Sequence, residues 1–358
     1  MFEFQTILKR FIVGFTAVVV AVPPVFAVQS RTLQQGVTVV HKAAEQRVDV
    51  MVDGKPFTSF LYLEKTRKPV LFPLRTAKGT IVTRGFPLDQ RPGERVDHPH
   101  HIGAWFNYGN VSGVDFWGNV NEVPGVNAKT KGTIIHRAVK KTTNGKNHGE
   151  LQVTADWVMP DGSTIIKEDT LFIFRARQNV REIDRITTWT ALDKPVKFGD
   201  TKEGAFAIRV ARSLEHPSKE PGVFSDGRGE RVTVPKLDNS SVTGLYRSSE
   251  GKTGDDVWGT RARWVILTGT VESEPVTLGI LDHPKNVGHP TYWHARGYGL
   301  FAANAFGWKD FTNGRETLDF NLNPKQSVTF RHRILIASGA LATEEVEAHF
   351  GRFMKDVP

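Results

Sequence analysis

Apolar and polar positions alternate with a period of two along much of the chain, the pattern of strands with one buried face. Val48, Val50 and Val52 alternate and then meet Asp53-Gly54, a pair suited to a tight hairpin turn. Leu151, Val153, Ala155 and Trp157 alternate ahead of a second such pair, Asp161-Gly162. The same period recurs at Phe206, Ile208 and Val210, and again at Val328, Phe330, His332, Ile334 and Ile336. Short β-rich runs lie between them, at Leu171–Phe174, Trp264–Leu267 and Val276–Leu281, and Gly and Pro punctuate the whole. This predicts a mainly β protein built as a large antiparallel β-sandwich. One helix interrupts the pattern. Thr343 is its expected cap, Glu344 and Glu345 fall where the helix dipole favours acids, and Val346, Phe350, Phe353 and Met354 make one apolar stripe. Such a helix would pack on the sandwich as a C-terminal lid. The Gly/Ser/Asp-rich stretch 218–256 reads as long loops.

The N-terminus follows different rules. Lys9 and Arg10 precede an apolar run from Phe11 to Val22, and Val25-Phe26-Ala27 carries small residues where a signal peptidase needs them. Residues 1–27 are therefore expected to be a signal peptide, with 28–358 the mature single β-sandwich domain in the periplasm or outside the cell. No later segment is apolar enough to span a membrane. The composition, 39% hydrophobic and 24% charged, is that of a packed globular chain. It contains no cysteine, which excludes a disulfide framework, a thiol nucleophile and Cys-ligated zinc or iron–sulfur sites. The net charge of +9 favours anionic partners. Part of it sits in Lys129, Lys131, Arg137, Lys140, Lys141 and Lys146, read here as a solvated edge hairpin. No recognition-helix or RNP-like pattern points to nucleic acid, and no Gly-rich phosphate loop points to a nucleotide cofactor.

The chemistry is concentrated. Of 12 histidines, six fall in two short windows, His98, His100 and His101 in the first and His283, His289 and His294 in the second, and both windows contain Asp-His-Pro. Trp105, Trp117, Trp258, Trp264, Trp293 and Trp308 lie in or beside glycine-rich segments rather than plain alternating strands. Histidine, tryptophan and glycine gathered in loops suggest one binding cleft in the sandwich.

Several of these segments resemble a known family. Asp97-His98-Pro99-His100-His101-Ile102-Gly103-Ala104-Trp105-Phe106, with Val114-Asp115-Phe116-Trp117, is similar to the opening motif of exported bacterial proteins labelled PmoA. Thr201-Lys202-Glu203-Gly204, Val257-Trp258-Gly259-Thr260-Arg261, Asp282-His283-Pro284-Lys285-Asn286 and Pro290 to Phe301 follow in the same order, closed by Asn304-Ala305-Phe306-Gly307. The resemblance implies a domain of unknown function, and by analogy a galactose-mutarotase-like supersandwich. The methane-oxygenase name attached to that family belongs to a copper subunit that spans the membrane several times. This chain does not, and no claim of methane oxidation is carried over.

Three readings follow. In the first, the protein is a carbohydrate-active enzyme (isomerase, lyase or hydrolase) using acid–base chemistry. Glu203 is the candidate base, and His101 or His283 the candidate acid. His98, Lys202, His294, Arg296 and Asn304 would hold substrate polar groups, while Trp105 and Trp293 stack on a sugar face. The ligand would be a sugar or sugar-derived small molecule, with acidic sugars among the candidates, and no cofactor is needed. In the second, His98, His100, His101, His283 and His294 ligate a divalent metal such as zinc, copper or iron. In the third, the Trp-rich loops make a non-catalytic sugar-binding module. The leader itself is testable: N-terminal sequencing of the exported protein is expected to start at Val28, and a chain beginning at Met1 would refute the cleavage.

Overall fold

Asp53 and Gly54 both take positive φ, 50° and 75°, so the strands Arg47–Val52 and Lys55–Leu61 fold back on each other as the alternation predicts. The second Asp-Gly pair lies in the turn that joins His148–Val158 to Thr164–Arg177, where only Gly162 takes positive φ, 86°, and Asp161 accepts the Ser163 N–H at 2.8 Å. The computed structural model describes residues 1–2, 36–119 and 130–357. The expected signal peptide, its first two residues apart, and Lys129 lie outside that description.

These hairpins assemble into two large antiparallel sheets. The nine-stranded sheet runs Val37–Lys42, Arg47–Val52, Lys55–Leu61, Val70–Leu71, Ala104–Tyr108, Gly204–Arg209, Leu300–Asn304, Thr291–Arg296, Arg261–Ala262. The eight-stranded sheet runs Leu245–Ser248, Trp264–Val271, Glu274–Asp282, Ser327–Ser338, Val180–Ala191, Thr164–Arg177, His148–Val158, Thr133–Thr143. The expected mainly β fold is thus the observed one. The basic strand Thr133–Thr143 does lie at a sheet edge, where exposed Arg137, Lys140 and Lys141 discourage a further strand from pairing. The stretch 218–256 departs from expectation. It holds the hairpin Gly222–Ser225 with Arg231–Val234, and the strand Leu245–Ser248, because its short apolar runs find partners that a local reading cannot supply.

The main core lies between the sheets. Phe106, Phe206, Trp293 and Phe301 of the nine-stranded sheet meet Trp157, Phe172, Trp189 and Phe330 of the other. Phe106 stacks on Trp189 with ring centroids 4.6 Å apart. His332, within its alternating strand, stacks on Phe206 at 4.8 Å and is a packing residue. The outer face of the eight-stranded sheet is covered by the helix Thr343–Asp356, whose Val346, Phe350 and Phe353 pack on Trp264, Leu281 and Leu335. Met354, assigned to that stripe, is exposed. The cap is Ala342 rather than Thr343: its backbone N–H donates to the Glu345 carboxylate at 2.8 Å. Thr343 instead accepts a hydrogen bond from Arg247.

A buried ion network ties this helix to the sheet. Arg333 donates two hydrogen bonds to Asp184 at 2.5 and 2.9 Å and reaches Glu182 at 3.4 Å and Asp356 at 3.2 Å. His349 meets Glu182 at 2.7 Å. Burial by itself would raise Glu182, but the His349 hydrogen bond and the Arg333 charge outweigh it and bring the carboxyl to about 2. A carboxyl lowered in the folded state stabilises the fold fully above its unfolded value and loses that contribution as pH falls through the folded value. Urea unfolding between pH 6 and 2 is therefore expected to weaken steadily below about 4.5, and Glu182→Gln should flatten that part of the profile. Asp184→Asn, which takes from buried Arg333 the carboxylate that accepts two of its hydrogen bonds, is expected to cost on the order of 3–5 kcal/mol at pH 7; a loss under 1 kcal/mol would refute this role.

Candidate functional site

In the nine-stranded sheet the side chains that do not enter the core emerge on its outer face, because neighbours along a strand point to opposite sides. On Thr291–Arg296, Trp293 and Ala295 face the core, leaving Tyr292, His294 and Arg296 on the outer face. On Ala104–Tyr108 the same rule sends Trp105 and Asn107 outward, and on Gly204–Arg209 it sends Ala207 and Arg209. A second apolar cluster of Val70, Phe72, Ile102, Trp105, Trp117, Ala207, Leu300 and Ala302 covers part of that face. Both sides of the central strands are buried, so the sheet offers a rigid floor.

On that floor lies a cleft of about 530 Å³ lined by His98, His100, His101, Asp115, Trp117, Lys131, Lys202, Glu203, His294, Arg296 and Tyr298. The histidine-rich loop reaches it under tight control. Arg84, only 1% exposed, donates to the carbonyls of Arg95, Asp97, His98 and His101 and to the Asp97 carboxylate at 2.8 Å. Arg209, fully buried, donates to the same Asp97 oxygen at 2.7 Å. Gly103 ends the loop at φ +55°, and a Cβ there would run into the backbone of Leu71, so glycine is required. On the opposite wall the backbone N–H of Gly109 donates to the Glu203 carbonyl at 2.7 Å. Lys202 N–H donates to Asp310 at 2.8 Å, which fixes the Thr201–Glu203 turn.

The charges in the cleft are paired unevenly. Burial opposes ionisation of Asp97, yet the Arg209 charge, the His98 hydrogen bond and the Arg84 charge hold it well below the usual carboxylate range. His98 Nδ1 lies 3.2 Å from Asp97, and its ring is sandwiched between His101 at 4.9 Å and Tyr298 at 5.1 Å, both nearly parallel to it. Glu203 pairs with Lys202 at 2.7 Å, and Asp115 pairs with Lys131. Arg296 is exposed and has no carboxylate partner among the described residues; it lies over the rings of Trp258 and Tyr298 at 5.8 and 5.9 Å. Burial lifts Tyr298 to about 12, so its hydroxyl keeps its proton.

The remaining histidines are neutral. Burial, then the charge on Arg296, pushes His294 down to about 3. Its Nδ1–H donates to the Lys202 carbonyl at 2.9 Å, which leaves Nε2 as a lone-pair acceptor. Burial followed by His100 and Arg209 lowers His101 well below its ordinary value, and burial followed by Lys68 does the same to His100. Arg209 donates to His101 Nδ1 at 3.3 Å, so Nε2 carries the hydrogen of the neutral ring. That N–H and the indole N–H groups of adjacent Trp105 and Trp117 have no partner among the described residues.

The structure therefore brings together His98, His101, Lys202, Glu203, His294 and Arg296 from the expected site, with His100 of the metal set beside them. It leaves four others outside. His283 follows the strand Glu274–Asp282 of the eight-stranded sheet and packs edge-on against Phe353 of the C-terminal helix. The chain changes sheets between the second Asp-His-Pro and His294, which no local pattern reveals. Trp293 is a core residue whose indole N–H donates to the Ala262 carbonyl at 3.1 Å. Asn304 is fully buried and spends its amide on the Thr201 carbonyl and the N–H groups of Phe306 and Gly307, so it braces the Glu203 turn. Trp105 is completely buried under the cleft and cannot stack on a ligand. The five histidines named as ligands do not converge, and among the described residues no three His, Asp or Glu side chains gather as metal ligands. Glu215-His216-Pro217, which echoes the two Asp-His-Pro segments, is buried in part: Glu215 pairs with Arg95 at 2.8 Å and Arg212 at 2.7 Å. Arg84, Arg209 and Tyr298 were missed. The two arginines sit alone in their segments, and only the strand period, which puts Arg209 opposite Ile208, marks one of them.

Residues 47–351 match a family of unknown function, DUF6807. The chain belongs to that family. No curated protein matches this DUF6807 chain. Among solved structures it is similar to the galactosidase domain of the alpha-galactosidase–sucrose kinase AgaSK, with 11% identity and a TM-score of 0.42 over 85% of this chain and 42% of that one. The GH36 alpha-galactosidase AgaB from Geobacillus stearothermophilus aligns at 11% identity and a TM-score of 0.39, covering 84% of this chain and 41% of its own. The DUF6807 chain thus spans less than half of the galactosidase chains it matches.

The His294 assignment has a direct test. Nitrogen NMR is expected to show an Nδ1–H tautomer that does not titrate between pH 5 and 8. A midpoint near 6.5 would overturn the buried, neutral state.

Proposed function

We propose that this protein is an enzyme that transforms an acidic sugar by acid–base catalysis in the cleft on the outer face of the nine-stranded sheet. One observation carries the reading: a single cleft joins Glu203, the Asp97-backed His98 and Arg296, which has no carboxylate partner among the described residues. Acid–base work on a sugar needs a proton acceptor, a proton donor and a fixed substrate. His294 and His101, held neutral, are too weakly basic to take and keep a proton. Glu203, whose carboxylate is paired with Lys202, is the acceptor. His98 is the donor, a cleft-lining ring whose Nδ1 lies 3.2 Å from the Asp97 carboxylate. Arg296 takes the substrate carboxylate through its planar fork. The His294 Nε2 lone pair accepts a hydroxyl, and half-buried Tyr298 lines the cleft beside these polar groups. His101 becomes part of the wall that orients His98, and His283 has no part in the reaction.

The motif resemblance to exported PmoA-labelled proteins falls on these same segments and supports an exported location for the chemistry. The leader expected from the sequence at 1–27 supports it independently. A sugar-binding module without catalysis would need flat faces and hydrogen bonds but not an Asp-backed histidine and a glutamate lining one cleft.

The test is turnover of hexuronates followed by proton NMR. Glu203→Gln and His98→Asn are each expected to lower kcat by about 10²-fold or more with an unchanged circular dichroism spectrum. Arg296→Ala should act mainly on KM. Full turnover in Glu203→Gln would remove Glu203 from the mechanism, and binding of hexuronates without any turnover would make the protein a sugar-binding module.

A further inference from the structure

A second hollow of about 580 Å³ adjoins the cleft. Arg296 and Tyr298 line both, so the two are lobes of one groove with these residues at its waist. The second lobe contains Arg95, Asp97, His216, Glu220, Asp255 and Trp258. Its flat surface is the half-buried indole of Trp258, held edge-on against Phe311 at 5.7 Å and covered on one side by Arg296. Gly297 keeps the lobe open: a Cβ there would come within 3.2 Å of His216 and 3.4 Å of Asp255.

The lobes differ in charge. In the first, Lys131, Lys202 and Arg296 face Asp115 and Glu203, an excess of cation. In the second, Asp97, Glu220 and Asp255 face Arg95 and Arg296. Arg95 is already committed to buried Glu215, and Asp97 to Arg84 and Arg209. Glu220 and Asp255, both exposed, therefore set the field of the second lobe, with His216 Nδ1 3.2 Å from the Asp255 carboxylate. Such a lobe repels a second carboxylate and accepts a hydroxyl-rich neutral group.

We infer that the groove binds an acidic sugar joined to a neutral one, with the uronate in the first lobe and the neutral unit in the second beside Trp258. This rests on the acidic-sugar reading of the cleft and extends it to a substrate of at least two sugar units.

The experiment compares binding of three ligands by titration calorimetry: D-galacturonate, galacturonosyl-rhamnose and digalacturonate, with the matching glucuronate series. The uronate–neutral disaccharide is expected to bind at least 10-fold more tightly than the monosaccharide, and the di-uronate to gain nothing. Trp258→Ala should collapse the disaccharide-to-monosaccharide ratio towards one. Glu220→Lys/Asp255→Lys, changes at exposed positions that leave the fold intact, should raise the di-uronate-to-monosaccharide ratio several-fold. Equal binding of monosaccharide and disaccharide by the unaltered protein would overturn the second lobe and leave the first intact. A gain for the di-uronate as large as for the mixed disaccharide would overturn the charge assignment. No binding of any of these sugars would overturn the acidic-sugar reading and this inference with it.

Discussion

One carboxylate between two buried guanidinium groups organises the cleft. Asp97 takes hydrogen bonds from Arg84 and Arg209 through the same oxygen and meets His98 through the other. Two buried cations so close together would be untenable without it. Because Arg84 also binds the carbonyls of Asp97, His98 and His101, the loop backbone is fixed by the pair that fixes the charge. The histidine loop is thus a rigid wall. His98 is presented on it with a carboxylate behind its ring and parallel aromatic rings on both faces.

The nine-stranded sheet supplies the other half of the constraint. Its central strands are buried on both sides, against the inter-sheet core and against the cluster around Trp105 and Trp117. A strand so confined cannot slip its register without moving aromatic residues into solvent. His294, Arg296 and Arg209 are therefore held in place by packing that has nothing to do with a ligand. Asn304 extends this support, since its amide ties the Thr201–Glu203 turn to the strand beside it.

The two faces of the sandwich divide the labour. The outer face of the eight-stranded sheet is closed by the C-terminal helix, with its ion network around Arg333 satisfied by Asp184, Glu182 and Asp356. The outer face of the nine-stranded sheet is left open where polar groups lack partners among the described residues: the N–H of His101 and those of Trp105 and Trp117, with the Arg296 guanidinium lacking a carboxylate. Satisfied buried polar groups rigidify a fold, whereas unsatisfied ones mark where water or a ligand completes the bonding.

The β character of the chain, its Asp-Gly hairpins and its terminal helix were legible in the sequence, because strand and helix periods are local and each is written in a few consecutive residues. The first histidine window and the Lys202-Glu203 pair were legible for the same reason, as motifs that need no distant partner to be noticed. What tertiary structure alone decided was membership. His283 and His294 share a window of twelve residues, yet a crossing from one sheet to the other sends the first to the C-terminal helix and the second to the cleft. Trp293 and His294 are neighbours, yet strand alternation and the choice of inner face make one core and the other site. Arg84 and Arg209 lie far apart in sequence and carry no motif, and only the fold brings both to Asp97. Local chemistry proposes which residues can act, and the pairing of sheets determines which of them meet.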